Sequence, residues 1–145
     1  MKAVVQRVGE TSLSVDGQFI SHIESGLTVF LGVGQGDCEQ QVERLAYKIA
    51  NLRIFEDNNG KMNLSVKDVG GEILLVSQFT LYGDCSHGNR PSFSNAEQPA
   101  RAKVLYEYCA EKLKEYGLTV KLGVFGADMK IQQYNDGPVS IILEI

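Results

Sequence analysis

The stretch SQFTLYG, residues 77–83, leaves an apolar run and sets Gln78, Thr80 and Tyr82 at alternate positions. In an extended chain these three share one face, with Ser77, Phe79 and Leu81 on the other. Either the strand has reached solvent there, or the hydroxyls, the amide and the local backbone N–H groups line a polar cleft that holds a carbonyl or stabilises an oxyanion. A hydroxyl such as that of Thr80 is a useful nucleophile only beside an activating base. The second stretch with chemical potential is NDGPVS, residues 135–140. Pro138 cannot donate to a sheet ladder and Gly137 weakens a strand. The pair therefore reads as a boundary, a turn or a feature presented to a partner, with the turn formers Asn135 and Asp136 holding the bend.

Other candidates are single residues. Arg7 lies among apolar neighbours, where a charge must be paired or reach solvent at an edge. Arg90 in NRPSF reads as a surface loop residue able to meet phosphate, and Met129 in FGADMK as a core side chain. His22 and His87 are the two histidines, and a Ser-His-Asp triad would have to recruit one of them. The chain has no G-x-S-x-G elbow, no H-E-x-x-H, no Walker loop and no dinucleotide fingerprint, which counts against the chemistries those motifs carry. No cofactor and no metal site is expected. Cys38, Cys85 and Cys109 are odd in number and far apart, so they read as free thiols.

These residues must be held by a framework, and the composition allows one. The 145 residues, 43% hydrophobic and 22% charged, fit a single domain over 1–145 with a core of its own. A formal net charge of -4 argues against broad electrostatic capture of nucleic acid, though not against contact with one end of it. No apolar run reaches the roughly 18 residues of a membrane span, and Gln6 and Arg7 fall where a signal peptide needs apolar residues. The expectation is a cytoplasmic protein without membrane contact.

Extended segments are predicted around Val4 to Val8, over TSLSVDG and over Leu27 to Val33, with VDGQ as a hairpin turn. From Cys38 to about Arg53, Val42, Leu45, Ala46, Ile49 and Leu52 recur at helical spacing, with Asp37 and Gln40 as N-cap and reciprocal partner. EDNNGKMN is a turn cluster, and GGEILLVSQFTLYG a long strand whose part from Ile73 to Val76 suits a sheet centre buried on both faces. Asp84 to Ser94 reads as a loop, Pro99 to Gly117 as a second helix. Three strands finish the chain, near Leu118 to Val124, Met129 to Tyr134 and Val139 to Glu144. The sum is an α+β fold, β-rich, with curved sheets around a barrel-like core and two packed helices.

SQFTL at Ser77 to Leu81 and NDGPVS at Asn135 to Ser140 resemble the two signature motifs of the D-aminoacyl-tRNA deacylases. The match extends in collinear order through QRV around Arg7, LGV at Leu31 to Val33, RIFED, GKMNLSV, RPSF at Arg90 to Phe93 and FGADM at Phe125 to Met129. Ser140 stands where the family usually has Thr, and Tyr82 where a smaller residue is common.

The resemblance implies hydrolysis of the ester between a D-amino acid and the terminal adenosine of tRNA. It implies a homodimer with active sites at the subunit interface, each receiving the Gly-cis-Pro pair of the opposite subunit, here Gly137 and Pro138, as a chiral filter. It also implies backbone N–H groups near Phe79 and Thr80 as the oxyanion site, with Gln78 beside them, and Ser77, Met129, Arg7 and Asn135 around the substrate. Glycine has no side chain to exclude, so glycyl-tRNA would also be accepted. Two other classes compete: a binding module using the polar strand end as a recognition surface, and a general esterase with Thr80 as nucleophile.

Overall fold

Apolar and polar residues alternate from the start of the chain, and the computed structural model, which describes all residues from Met1 to Ile145, forms one long strand there, β1 (Lys2–Val15). The two extended segments read in this region are therefore one. Asp16 and Gly17 turn the chain with φ of 50° and 75°, the left-handed pair that a two-residue hairpin requires. β2 (Gln18–Ile23) and β3 (Gly26–Gly32) both run antiparallel to β1. They take successive lengths of one edge of β1, because β2 pairs with Thr11 to Val15 and β3 with Lys2 to Val8.

Helix α1 (Glu39–Asn51) then crosses to a small hairpin, β4 (Phe55–Glu56) and β5 (Met62–Leu64). β6 (Glu72–Ser77) returns parallel to β3, and helix α2 (Pro99–Glu115) crosses to β7 (Val120–Leu122), parallel to β6. The sheet order is β2-β1-β3-β6-β7, and β8 (Met129–Glu144) lies antiparallel along the other edge of β1. No helix is long and apolar enough to cross a membrane.

Helix α2 opens with Pro99 in its first turn, as its sequence predicts. The cap of α1 differs from expectation by one residue. Cys38 is the N-cap, its backbone N–H donating to Gln41 Oε1 at 3.0 Å, while Gln40 is exposed. Asp37 is otherwise engaged: its carboxylate accepts from Gly34 N–H at 2.6 Å and pairs with the buried Met1 ammonium at 2.8 Å. A carboxylate held by those two donors is not available to the helix.

Under the helices, Leu27, Val29, Leu31, Ile73 and Leu75 pack against Val42, Leu45 and Ile49 of α1 and Leu105, Cys109 and Leu113 of α2. On the opposite face, Val8, Leu13, Ile23, Leu74 and Val76 form a second cluster, flanked by Phe30, Met129 and Ile131. Ile73 to Val76 is thus buried on both sides, as predicted. No helix covers that second face, so the sheet curls until β1, β2 and β8 shelter it, which gives the barrel-like form.

The end of the chain is simpler than the three strands expected. β7 has three residues, and Met129–Glu144 is one strand that runs through Gly137 and Pro138. A bulge accommodates the pair, described below.

Two outcomes test this packing. Gly26 has φ +143°, and a Cβ there would lie 2.0 Å from the Glu72 carbonyl oxygen. Gly26→Ala should lower the unfolding free energy by about 3 kcal/mol or more in urea titration; an unchanged midpoint would contradict the close approach of β3 and β6. Burial pushes the Cys109 thiol up to about 12 and holds the Tyr106 hydroxyl, bonded to the Leu75 carbonyl at 2.8 Å, well above its ordinary value. Both keep their protons in the folded chain while the unfolded chain releases them. Stability should therefore be full below the unfolded thiol value of 9.0 and fall as pH rises above it. The decline should be shallower in Cys109→Ala and in Tyr106→Phe than in the parent.

Candidate active site

β6 stops at Ser77, and Phe79–Tyr82 form a 3-10 turn. The alternating face expected from Gln78, Thr80 and Tyr82 does not exist. Gln78 N–H makes the last bond to β3, at Leu31 O, 2.8 Å. Leu81 N–H then folds back to Gln78 O at 3.3 Å and Gly83 N–H to Thr80 O at 2.9 Å. The N–H groups of Phe79 and Thr80 precede the first bonded donor of the turn, so they have no acceptor within it. The Thr80 hydroxyl accepts a hydrogen bond from the side-chain amide nitrogen of Gln78. An amide nitrogen is a donor and takes no proton.

Glycines determine where this turn sits. A Cβ on Gly34 would lie 2.5 Å from the Tyr82 hydroxyl, and one on Gly32 would lie 3.0 Å from Gln78 O and 3.2 Å from Leu81 Cβ. The Tyr82 hydroxyl faces Asp37 Oδ2 at 3.5 Å, and Lys2 Nζ lies 5.3 Å from its ring centroid. Burial first, then the Asp37 carboxylate, push its pKa up to about 12. At neutral pH the phenol is an uncharged strut.

Beside the turn opens a cavity of about 570 Å³. Leu31, Val76 and Ser77 come from the carboxyl ends of β3 and β6, Val33 from just past β3, and Gln78 and Phe79 from the turn that follows β6. Glu97, Gln98, Pro99 and Ala102 add the start of α2; Phe125 to Met129 and Ile131 add the connection into β8. Phe93 also lines it, its ring edge-on to Phe79 with centroids 5.0 Å apart. Met129 serves both core and cavity. Gly123 admits it, since a Cβ there would lie 2.7 Å from its sulfur.

Arg7, Asn135, Gly137 and Pro138 gather elsewhere. Gln6 pairs with Ser140 and Val8 with Asn135, so Asp136 to Val139 bulge out opposite Arg7 alone. The Arg7 guanidinium, 7% exposed, donates to Ile54 O at 2.7 Å and Asp136 O at 3.1 Å and pairs with Asp136 Oδ2 at 3.1 Å. The charge in the first strand is thus paired. Gly137, with φ +128°, leaves no space for a side chain: a Cβ would sit 2.9 Å from Val139 and 3.3 Å from Arg7 Nη2. The Gly137–Pro138 peptide is cis, and both residues are exposed. Neither lines the cavity of its own chain.

The cavity thus unites Ser77, Gln78, Phe79 and Met129, with Thr80 on the adjoining turn, and leaves the other four in a second group. Glu97 and Gln98 were missed by sequence reasoning; their position just before a helix-opening proline was the available signal. Neither histidine lines the cavity. His22 lies near Glu10 and Glu24, at 3.4 and 3.8 Å, and His87 is exposed.

Comparison with known proteins places this architecture. A solved structure described as c-Myc DNA Unwinding Element Binding Protein superposes with a TM-score of 0.92 at 45% identity, covering 100% of this chain and 99% of that one. A second, described as a probable eukaryotic D-amino acid tRNA deacylase, shares the fold with a TM-score of 0.83 at 14% identity, covering 99% and 98%. The D-aminoacyl-tRNA deacylase of Thermosipho melanesiensis is 56% identical over 99% of this chain and 97% of its own. The family model described as D-Tyr-tRNA(Tyr) deacylase matches residues 4–144, and the chain belongs to that family.

Proposed function

We propose that the protein hydrolyses the ester between a D-amino acid and the terminal adenosine of tRNA, releasing both in free form. The observation that carries this reading is the cavity beside Phe79 and Thr80, whose N–H groups have no acceptor in their turn, in a chain of this family. Water adds to the ester carbonyl, the carbonyl oxygen becomes an oxyanion held by those two N–H groups, and the acyl–oxygen bond breaks with the proton passing to the ribose oxygen. The substrate's own 2′-hydroxyl assists the water. Ser77 and Gln78 position the ester at the polar edge of the cavity, and Met129 and Phe125 pack the apolar part of the acceptor end. A substrate that is part of translation assigns the enzyme to the cytoplasm.

Thr80 is not the nucleophile in this scheme. Its hydroxyl is bonded to the Gln78 amide, which cannot remove a proton, and no histidine lines the cavity.

Chirality is read by a second copy of the chain. Gly137 and Pro138 of one subunit enter the site of the other, where their carbonyls meet the substrate ammonium and leave no room for an L side chain. Support comes from their exposure in a bulge anchored by Arg7 and from the outer edge of β8, unpaired in the single chain. That strand also carries Tyr134 and Ile142, 72% and 70% exposed. Arg7 and Asn135 act by shaping the bulge. Exclusion by contact rejects a wrong substrate more strongly than a lost contact does, and it leaves glycyl-tRNA as a substrate. A second reading, nucleic-acid binding without hydrolysis, follows from the name of the 45% identical structure.

Hydrolysis of D-tyrosyl-tRNA should exceed that of L-tyrosyl-tRNA by roughly a hundredfold or more, followed by release of labelled tyrosine. Equal loss of both would remove the filter, and binding of tRNA or DNA with loss of neither would favour the second reading. Thr80→Ala should keep activity within about tenfold of the parent, whereas loss of a true nucleophile costs on the order of 10⁴ or more. A covalent ester isolated on Thr80 would overturn the water mechanism.

A further inference from the structure

The bulge that carries Gly137 and Pro138 is gripped from both faces of the sheet, and the mechanism above uses one of them. Arg7 and Gln6 are consecutive in β1, so their side chains leave opposite faces. Gln6 Nε2 donates to Ser140 Oγ at 3.0 Å. Gln6 Oε1 accepts from Gln133 Nε2 at 2.7 Å, and Gln133 Nε2 also donates to Asn135 Oδ1 at 2.8 Å. Ser140 is the first residue after the bulge to regain register with β1, while Gln133 and Asn135 precede the bulge. A single side-chain amide therefore spans the gap between the strand's entry to the bulge and its exit.

Stability is a weak reason for such an arrangement. The Gln6–Ser140 bond is exposed, and hydrogen bonds that compete with water contribute little net stability. What the bonds do fix is geometry. Gln133 Nε2 is engaged in both bonds, and through it Gln6 is tied to Asn135 as well. Covering this face with a second subunit would exclude water and strengthen each bond.

We infer that Gln6 is a positioning residue for chiral discrimination: its amide clasps Ser140 and Gln133 across the bulge and so sets the direction in which Gly137 and Pro138 are presented. The inference rests on the reading that this pair is the filter. A filter acting by exclusion tolerates little displacement, since an error of about 1 Å in placement can cost on the order of a hundredfold. The serine at 140 gives the clasp its acceptor, and a threonine would supply the same hydroxyl.

The test uses Gln6→Leu, which keeps much of the side-chain bulk and loses both bonds, and Gln6→Glu, whose carboxylate accepts from Gln133 and from the Ser140 hydroxyl. Ser140→Ala removes one acceptor at an exposed position. Initial rates on D- and L-tyrosyl-tRNA are read beside thermal melting of each full-length variant. The ratio of D to L rates should fall about tenfold in Gln6→Leu, less in Ser140→Ala, and recover in Gln6→Glu, with melting shifted by no more than about 3 °C. An unchanged ratio in Gln6→Leu and Ser140→Ala, beside a parent that discriminates, would overturn the role of Gln6 and leave the filter intact. So would a parallel fall of both rates with lowered melting, which marks a structural role. A parent that hydrolyses both esters equally would overturn the filter itself and this inference with it.

Discussion

A guanidinium inside a sheet cannot shed its proton and must be given acceptors. Arg7 is 7% exposed, and its acceptors come from two distant places: the Ile54 carbonyl ahead of β4, and the carbonyl and carboxylate of Asp136. To deliver Asp136, the last strand must abandon regular pairing for the four residues opposite Arg7. The departure creates the bulge, and the bulge exposes Gly137 and Pro138. The glycine follows from the same constraint, because any side chain there would press on Val139 and the guanidinium. One buried charge near the beginning of the chain thus explains the outline of a loop near its end.

The cavity has a different origin. Two parallel strands, β3 and β6, end side by side, and open α/β sheets commonly place ligands beyond the carboxyl ends of such strands. Here β6 is buried on both faces, so its end is rigid, and the 3-10 turn that follows is seated against Gly32 and Gly34. Asp37 secures the seat from behind. Its carboxylate binds the Met1 ammonium and the Gly34 N–H, and its backbone carbonyl accepts from Arg101 of α2 at 3.1 Å. The start of the chain, the turn and the helix that walls the cavity are therefore located relative to one another by a single residue.

Much of this framework was legible in the sequence because it is local. The periodicity of α1, the proline opening α2, the Asp16–Gly17 hairpin and the doubly buried run at Ile73 to Val76 are each decided by residues close together in the chain. What was not legible is set by distant partners. Alternation across Gln78, Thr80 and Tyr82 is a valid strand pattern, overridden by the glycine seat on a neighbouring segment. Asp37 has the residue type of a helix cap, but Met1 and Gly34 claim it. Gly137 and Pro138 look like an ending, and only the demand of Arg7 turns them into a bulge within a continuous strand. The cavity wall at Glu97 and Gln98 has no motif of its own; it exists because the chain entering α2 is bonded to the segment after β3, with Glu97 N–H donating to the Val33 carbonyl at 3.0 Å.

The pairing of β1 with β8 joins residues more than a hundred positions apart, from Lys2 with Glu144 to Val15 with Met129. During synthesis on the ribosome the first strand emerges early, with one edge open and Arg7 lacking Asp136. Helices and hairpins close to it in sequence are only marginally stable alone, and the sheet has no stable half. The molecule must therefore wait for nearly its whole length before it folds, and in that interval a hydrophobic strand is exposed to other nascent chains. A truncated product that ends before Met129 would be a target for chaperones or proteases rather than a weaker form of the enzyme.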